Sequence, residues 1–165
     1  DNVLKVGVFV NPDDALLTDV LKDVDLDIIQ LHGNETVERV EYIRTRFSII
    51  VMKAIAVAGI SDISRASEYE KIVDMLLFDA KAPIEMDEAL PGGNGLAFDW
   101  DLIAGHQWQV PWMLSGGLDA TNVREAVKIS GATTVDISSG LETTPGNKDI
   151  SMIEAFMKEI QETAE

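Results

Sequence analysis

Apolar residues along the chain follow two periods that alternate from end to end. Val3–Val10 is a β-branched run and predicts a strand. Asn11-Pro12-Asp13-Asp14 then opens a helix, with Asn11 suited to the N-cap, Pro12 to the first helical position and the aspartates to the positive end of the dipole. Leu16, Leu17, Val20, Leu21 and Val24 recur behind it at helical spacing. Asp27–His32 predicts a second strand, followed by a helix from about Asn34 with Val37, Val40, Ile43 and Phe47 on one side. Ile49–Val57 is the third strand, and its helix runs from about Ser61 to Val73. Asp74–Asp79 is the fourth, followed by the longest loop and a short helix near Asp99–Ala104. Val110–Ser115 is the fifth, with a helix capped by Asp119 and stopped by Gly131. Thr133–Ser138 is the sixth. A last helix starts near Ser151, where Ser151 and Glu154 fit a capping box and Ile153, Phe156, Met157 and Ile160 make a core face.

Strict alternation of strand and helix implies a parallel sheet with right-handed crossovers. The two usual forms are an open doubly wound sheet and a closed barrel. Units of roughly 25–30 residues match barrel spacing, but a barrel needs eight and six are visible. The pattern alone leaves both forms open. No linker, low-complexity segment or longer repeat divides the chain, so 1–165 is expected to be one domain.

In either form, ligands bind at the carboxyl ends of the strands. Side chains alternate along a strand, so residues two apart share a face. Gln30 and His32 share one face of the second strand, Leu77 and Asp79 of the fourth, Met113 and Ser115 of the fifth, and Asp136 and Ser138 of the sixth. Lys53 falls in the same kind of position in the third. One face of a barrel must be apolar to meet the helices. The face carrying Gln30, His32, Lys53, Asp79, Ser115, Asp136 and Ser138 is therefore expected to point into the mouth. Taken singly, each has a plainer use, such as capping a loop or neutralising a carboxylate.

The charge narrows the ligand class. A formal net charge of -16 disfavours nucleic acid and anionic membrane as partners. No apolar run is long enough for a transmembrane helix. Zero cysteines and only two histidines, His32 and His106, leave little with which to hold a metal, so none is expected. Asp1-Asn2-Val3 has neither the starting methionine nor the basic and apolar regions of a signal peptide. The expectation is a processed, trimmed or partial chain in the cytoplasm.

Ser115-Gly116-Gly117 and Ser138-Ser139-Gly140 follow the last two predicted strands. In barrels, the loops in those places often build a phosphate site from backbone N–H groups. Glycine permits close backbone approach, and the hydroxyls add donors without adding charge. Pro91-Gly92-Gly93-Asn94-Gly95, after the fourth strand, reads as a lid over the site or as a flexible turn. Trp100, Trp108, Trp112 and the methionines read as packing, and His106 as a loop residue without a part in the chemistry.

Several stretches carry a resemblance. They are Val6-Gly7-Val8-Phe9-Val10-Asn11, Gln30-Leu31-His32-Gly33, Met52-Lys53-Ala54, and Leu76-Leu77-Phe78-Asp79-Ala80-Lys81. Gly92-Gly93-Asn94-Gly95, Phe98-Asp99-Trp100, Leu114-Ser115-Gly116-Gly117-Leu118, Val135-Asp136-Ile137-Ser138-Ser139-Gly140-Leu141-Glu142 and Pro145-Gly146-Asn147-Lys148-Asp149 follow in order. Over nearly its whole length the chain resembles phosphoribosylanthranilate isomerase, the tryptophan-pathway enzyme. The resemblance implies a (β/α)8 TIM barrel in which the six units are strands three to eight. It implies an aldose–ketose isomerisation, an Amadori rearrangement of N-(5-phosphoribosyl)anthranilate to 1-(2-carboxyphenylamino)-1-deoxyribulose 5-phosphate, without cofactor or metal.

Carried over by residue, the resemblance makes Asp79 the general acid and Asp136 the group that positions the substrate. A general acid working at neutral pH needs surroundings that keep its carboxyl protonated, as a partly enclosed mouth can. Gly116, Gly117, Ser138, Ser139 and Gly140 hold the phosphate, and Gln30, His32, Lys53, Ser115, Gly93 and Gly95 line the substrate pocket. The family's base is a cysteine in a Lys-Ile-Cys-Gly stretch ending strand one, and neither that stretch nor any cysteine occurs here. An arginine after strand two is missing as well. Two units, about 50 residues, are thus expected to lie outside these 165. A separate N-terminal segment or a homo-oligomer is the expected means of covering the open edges. Two other readings stand beside the isomerase: a non-catalytic barrel fragment that keeps a phosphate site, and another phosphate-binding barrel such as indole-glycerol-phosphate synthase.

Overall fold

The computed structural model describes residues 3–81 and 96–163. Five strands form one parallel sheet in chain order: β1 (Val6–Phe9), β2 (Ile28–Leu31), β3 (Ile50–Val57), β4 (Met75–Ala80) and β5 (Trp112–Leu114). Helices α1 (Asp14–Asp23), α2 (Val37–Phe47) and α3 (Ile60–Tyr69) carry the chain between the first four strands, and α4 (Val123–Ser130) follows the fifth. Beyond it come a short antiparallel pair, β6 (Glu142–Thr144) and β7 (Asn147–Lys148), and helix α5 (Ile150–Thr163). No helix among the described residues is long and apolar enough to cross a membrane.

Register decides which side chains share a face. Gln30 pairs with Met52, and Met52 with Met75; Ala54 pairs with Leu77, and Leu77 with Met113. Ile28, Met52, Ala54 and Leu77 pack together with Met75 and Met113 as an inner cluster. The opposite face, with Ile29, Leu31, Val51, Ile55, Leu76, Phe78 and Leu114, joins Leu17, Val40, Ile43, Ile63 and Ala126 of the helices in the main core. Burial on both faces accounts for the near-continuous apolar strands of a parallel sheet. The three tryptophans pack against this core, Trp108 and Trp112 with ring centroids 5.0 and 5.7 Å from Phe78. His106 stacks on Trp108.

The far edge of β1 has no partner strand among the described residues. Val6 and Val8 pair with Ile28 and Gln30, so they belong to the inner face, yet Val6, Val8 and Val10 are 41%, 60% and 46% exposed. Val8 and Val10 also line the cavity at the carboxyl edge of the sheet, and together the three valines leave an open apolar surface at this edge.

Several elements differ from the sequence pattern. Thr133–Ser138 is not a strand. It meets β5 through a single bridge, Leu114 with Val135, held by Leu114 N–H to Thr134 O (3.0 Å) and Asp136 N–H to Leu114 O (2.8 Å). With only three residues in β5, the ladder has little to extend along. Asp13, not Asn11, caps α1 by accepting from Leu16 N–H, while Asn11 adopts φ 47° and its side chain accepts from Asn34 N–H. Thr36 caps α2, so that helix starts later than Asn34. Asp119 accepts from Thr121 and Asn122 N–H in the turn before α4, which Asn122 precedes; Gly131 ends it in the left-handed region as expected. At α5, Asp149 accepts from Met152 N–H and replaces the Ser151 capping box. Met152, Phe156 and Ile160 make the packed face of α5, whereas Ile153 and Met157 are exposed.

Candidate active site

The inner face of the sheet ends in polar residues at its carboxyl edge. Asp79 pairs with Ala56 on that face and is 5% exposed. Its Oδ1 accepts from the N–H of Ala80 at 2.9 Å, and its Oδ2 lies 3.2 Å from His32 Nε2. Gln30 Nε2 is 2.9 Å from the other imidazole nitrogen, Nδ1, so three residues at the carboxyl ends of β2 and β4 form one chain of polar contacts. Ser115 donates its hydroxyl to Asp136 Oδ2 at 3.0 Å. The second aspartate is thereby tied to the turn after β5.

That turn depends on glycine. Gly116 has φ 93°, and a Cβ there would lie 2.6 Å from Ala80 N and 3.2 Å from Asp79 Oδ1. A side chain would push the turn off the backbone that carries Asp79, so only glycine satisfies both the conformation and the approach. Gly117 is held from the other side, its carbonyl accepting from Asn122 Nδ2 at 2.8 Å.

These groups open on one cavity of about 530 Å³, within the range that holds small ligands. Its wall includes Gln30, His32, Asp79, Ser115, Gly116, Gly117, Asp136, Ser138 and Ser139, together with Val8, Val10, Leu118, Ile137 and Lys148. Nine residues singled out from the sequence are therefore brought together from four separate stretches of chain. Gly93 and Gly95 lie outside the described residues, as does the rest of the Pro91–Gly95 stretch.

Lys53 is the clearest correction. Parallel pairing sets it opposite Leu31 and Leu76, on the helix-facing side of β3, away from the cavity. There its Nζ donates to the carbonyls of Leu31 (3.1 Å), Gly33 (2.9 Å) and Ala54 (2.7 Å) and pairs with Glu35 at 3.1 Å. Burial holds the Lys53 ammonium below its ordinary pKa against the pull of Glu35. Glu35, which the sequence pattern did not single out, also accepts from the N–H groups of Asn11 (2.7 Å) and Gly33 (3.1 Å). The pair thus braces the loop that carries His32 instead of meeting a ligand. Gly140 is a second correction. It is not part of the cavity wall; it sits in a 3-10 turn (Ser139–Leu141) where a Cβ would fall 2.0 Å from the Leu118 carbonyl oxygen. Close packing is by itself enough to require a glycine there.

Lys148 was also missed. It lines the cavity and donates to Ser138 O (2.8 Å), Ser138 Oγ (3.1 Å) and Glu142 Oε1 (2.6 Å). The turn-forming Pro145-Gly146 between two short polar stretches is the signal that a hairpin returns Lys148 to Ser138.

A polar cavity at the carboxyl ends of successive parallel strands, with two aspartates and glycine turns on its wall, is the ligand-binding arrangement of parallel α/β proteins, barrels among them. Comparison with known proteins makes this specific. The family model described as N-(5'phosphoribosyl)anthranilate (PRA) isomerase matches residues 1–159. The N-(5'-phosphoribosyl)anthranilate isomerase of Rhodospirillum centenum is 57% identical over 152 residues, covering 92% of this chain and 71% of that one. The isomerase of Paramagnetospirillum magneticum is 53% identical over 157 residues, covering 95% and 72%. Among solved structures, phosphoribosyl anthranilate isomerase from Thermotoga maritima superposes with a TM-score of 0.81 at 37% identity, covering 97% of this chain and 74% of that one. Another, in complex with reduced 1-(o-carboxyphenylamino)-1-deoxyribulose 5-phosphate, gives 0.78 at 35% identity, covering 97% and 72%. The chain belongs to the phosphoribosylanthranilate isomerase family, the isomerases of tryptophan biosynthesis.

Proposed function

We propose that these residues supply the general acid, the orienting carboxylate and the phosphate site for the Amadori rearrangement of N-(5-phosphoribosyl)anthranilate, and that the base comes from two further βα units. The observation that carries the reading is the convergence of Asp79, Asp136 and the two Gly/Ser turns on one cavity.

Asp79 is the acid. Its Oδ1 accepts from Ala80 N–H, so the proton is carried on Oδ2, which faces His32 Nε2 until the substrate's ring oxygen takes the proton. That proton passes to the furanose ring oxygen, the bond from C1′ to that oxygen breaks, and the anthranilate nitrogen lone pair closes an iminium. A base then takes the C2′ proton, and the resulting enolamine tautomerises to the ketone. Asp136, fixed by Ser115, orients the amino group or the hydroxyls. The turns at Gly116-Gly117 and Ser138-Ser139 hold the phosphate with uncharged donors, which suits a chain of net charge -16.

No cysteine is available among the 165 residues to act as the thiol base that the family uses. By the resemblance, the six strand–helix units of the sequence pattern correspond to strands three to eight of the family's barrel. The exposed inner valines of β1 support a barrel completed by strands one and two, with the base at the end of strand one. The relatives' names favour this reading over a fragment that only binds phosphate.

The test is Asp79→Asn in a barrel that contains the first two units. Turnover should fall by about 10²–10⁴, the scale of general-acid catalysis, with substrate affinity within about tenfold. Turnover near the wild-type rate would assign the acid elsewhere.

A further inference from the structure

Lys148, in β7, is the one ammonium or guanidinium group on the cavity wall among the described residues. An ammonium has three N–H donors and no acceptor. All three are matched here, by Ser138 O at 2.8 Å, Ser138 Oγ at 3.1 Å and Glu142 Oε1 at 2.6 Å. Glu142 is itself fixed by the hairpin, its Oε2 accepting from Gly146 N–H at 3.1 Å. Lys148 therefore has no donor left for a ligand, although it stands at the cavity.

The consequence falls on Ser138. A hydroxyl offers one donor and two acceptor lone pairs. Lys148 occupies one lone pair and also takes the Ser138 carbonyl, so the Ser138 O–H has to find its acceptor elsewhere. Ser138 forms part of the cavity wall, and an ammonium on its oxygen makes the hydroxyl a stronger donor.

We propose that Lys148 is a positioning residue: it holds Ser138 so that the hydroxyl donates into the cavity, to a phosphate oxygen of the ligand, without touching the ligand itself. This rests on the reading of the Gly116-Gly117 and Ser138-Ser139 turns as the phosphate site. Glu142 belongs to the same device, because it restrains the ammonium that would otherwise be free to pair with the phosphate directly. The phosphate is remote from C1′ and C2′, so the effect belongs to binding and not to the chemical step.

The experiment is a double-mutant cycle on the full-length protein, reading the Kd of inorganic phosphate by calorimetry and KM and kcat for the substrate. Ser138→Ala and Lys148→Met should each weaken phosphate binding about tenfold, the scale of one charge-assisted hydrogen bond. KM should rise by a similar factor, with kcat within about twofold. The double variant should be no worse than Ser138→Ala alone, since Lys148 acts only through Ser138. Additive losses would mean that Lys148 acts by its own charge and would overturn the proposal. Ser138→Ala leaves the hairpin contacts of Lys148 to Glu142 and to the Ser138 carbonyl in place. Unchanged phosphate affinity in that variant overturns the proposal whether or not Lys148→Met folds. A wild-type protein that turns over substrate but takes up no phosphate, and is not inhibited by it, overturns the phosphate site as well.

Discussion

His32 Nε2 stands 3.2 Å from Asp79 Oδ2, and Gln30 Nε2 stands 2.9 Å from His32 Nδ1. The two charge states of Asp79 ask opposite things of the imidazole. A carboxylate wants Nε2–H as donor, with Nδ1 accepting from the Gln30 amide. A protonated Asp79 gives its proton toward Nε2, which puts the imidazole hydrogen on Nδ1 and requires the Gln30 oxygen there. Gln30 can serve either tautomer by turning its amide, since an amide carries both a donor and an acceptor group.

Replacing His32 should therefore hurt the chemical step. Loss of one hydrogen bond to a charged group is about 1.5–3 kcal/mol, or about 10–100-fold in kcat. His32→Ala should show that loss with KM nearly unchanged, and His32→Gln should recover part of it. Steady-state kinetics check this; a rise in KM at constant kcat would make His32 a binding residue instead.

The Lys53–Glu35 pair is a stability device under the same loop, with side chains 3% and 1% exposed. Lys53→Met alone leaves the buried Glu35 charge unpaired and should cost about 3–5 kcal/mol. Adding Glu35→Gln, which keeps an oxygen for Asn11 and Gly33 N–H, should give back part of that loss. Urea unfolding of the single and double variants measures the coupling. Equal and additive losses would mean that the two residues act independently.

The misplacement of Lys53 also marks where sequence pattern stops. Alternation within β3 tells which residues share a face, but not which face. Only the pairing of Gln30 with Met52 and of Leu31 with Lys53 decides that, and the pairing is a property of two strands. The placement of Asp79 and Ser115 on the inner face was legible because each ends a predicted strand, where parity and position agree, whereas Asp136 reaches the cavity from a segment that is not a strand. The Gly131 stop was legible because a left-handed helix end has few other occupants. Asn11 was misread because its side chain bonds Asn34, a residue that only tertiary structure brings near. Lys148 escaped because its partners at Ser138 and Glu142 meet it through a hairpin too short to leave a hydrophobic period.

Acid should weaken the fold through identifiable carboxylates. Asp14 lies below its ordinary pKa because Tyr42 and Arg39 bond it, Glu142 because of Lys148 and the Gly146 N–H, and Asp149 because of Ser151 and the Met152 N–H. A carboxylate depressed in the folded state binds fewer protons there than when unfolded. Its stabilisation is present above the unfolded pKa, about 4, and is lost as pH falls through the folded value. Thermal melting should show little change from these groups between about pH 6 and 8 and a falling Tm below about pH 4. A Tm that rises on acidification would contradict the assignment.

The proposed function places the acid and the ligand site of the isomerase on these 165 residues and the base on two further βα units. Isomerisation is followed by the loss of anthranilate-type fluorescence, using the purified 165-residue chain alone and then with a segment carrying strands one and two added in trans. The exposed inner valines of β1 should make the chain alone prone to self-association, and it should not turn over. The added segment should restore turnover, and the same segment with its strand-one cysteine changed to alanine should not. Turnover by the cysteine-free 165-residue chain alone, at a rate typical of enzymes, would contradict the account.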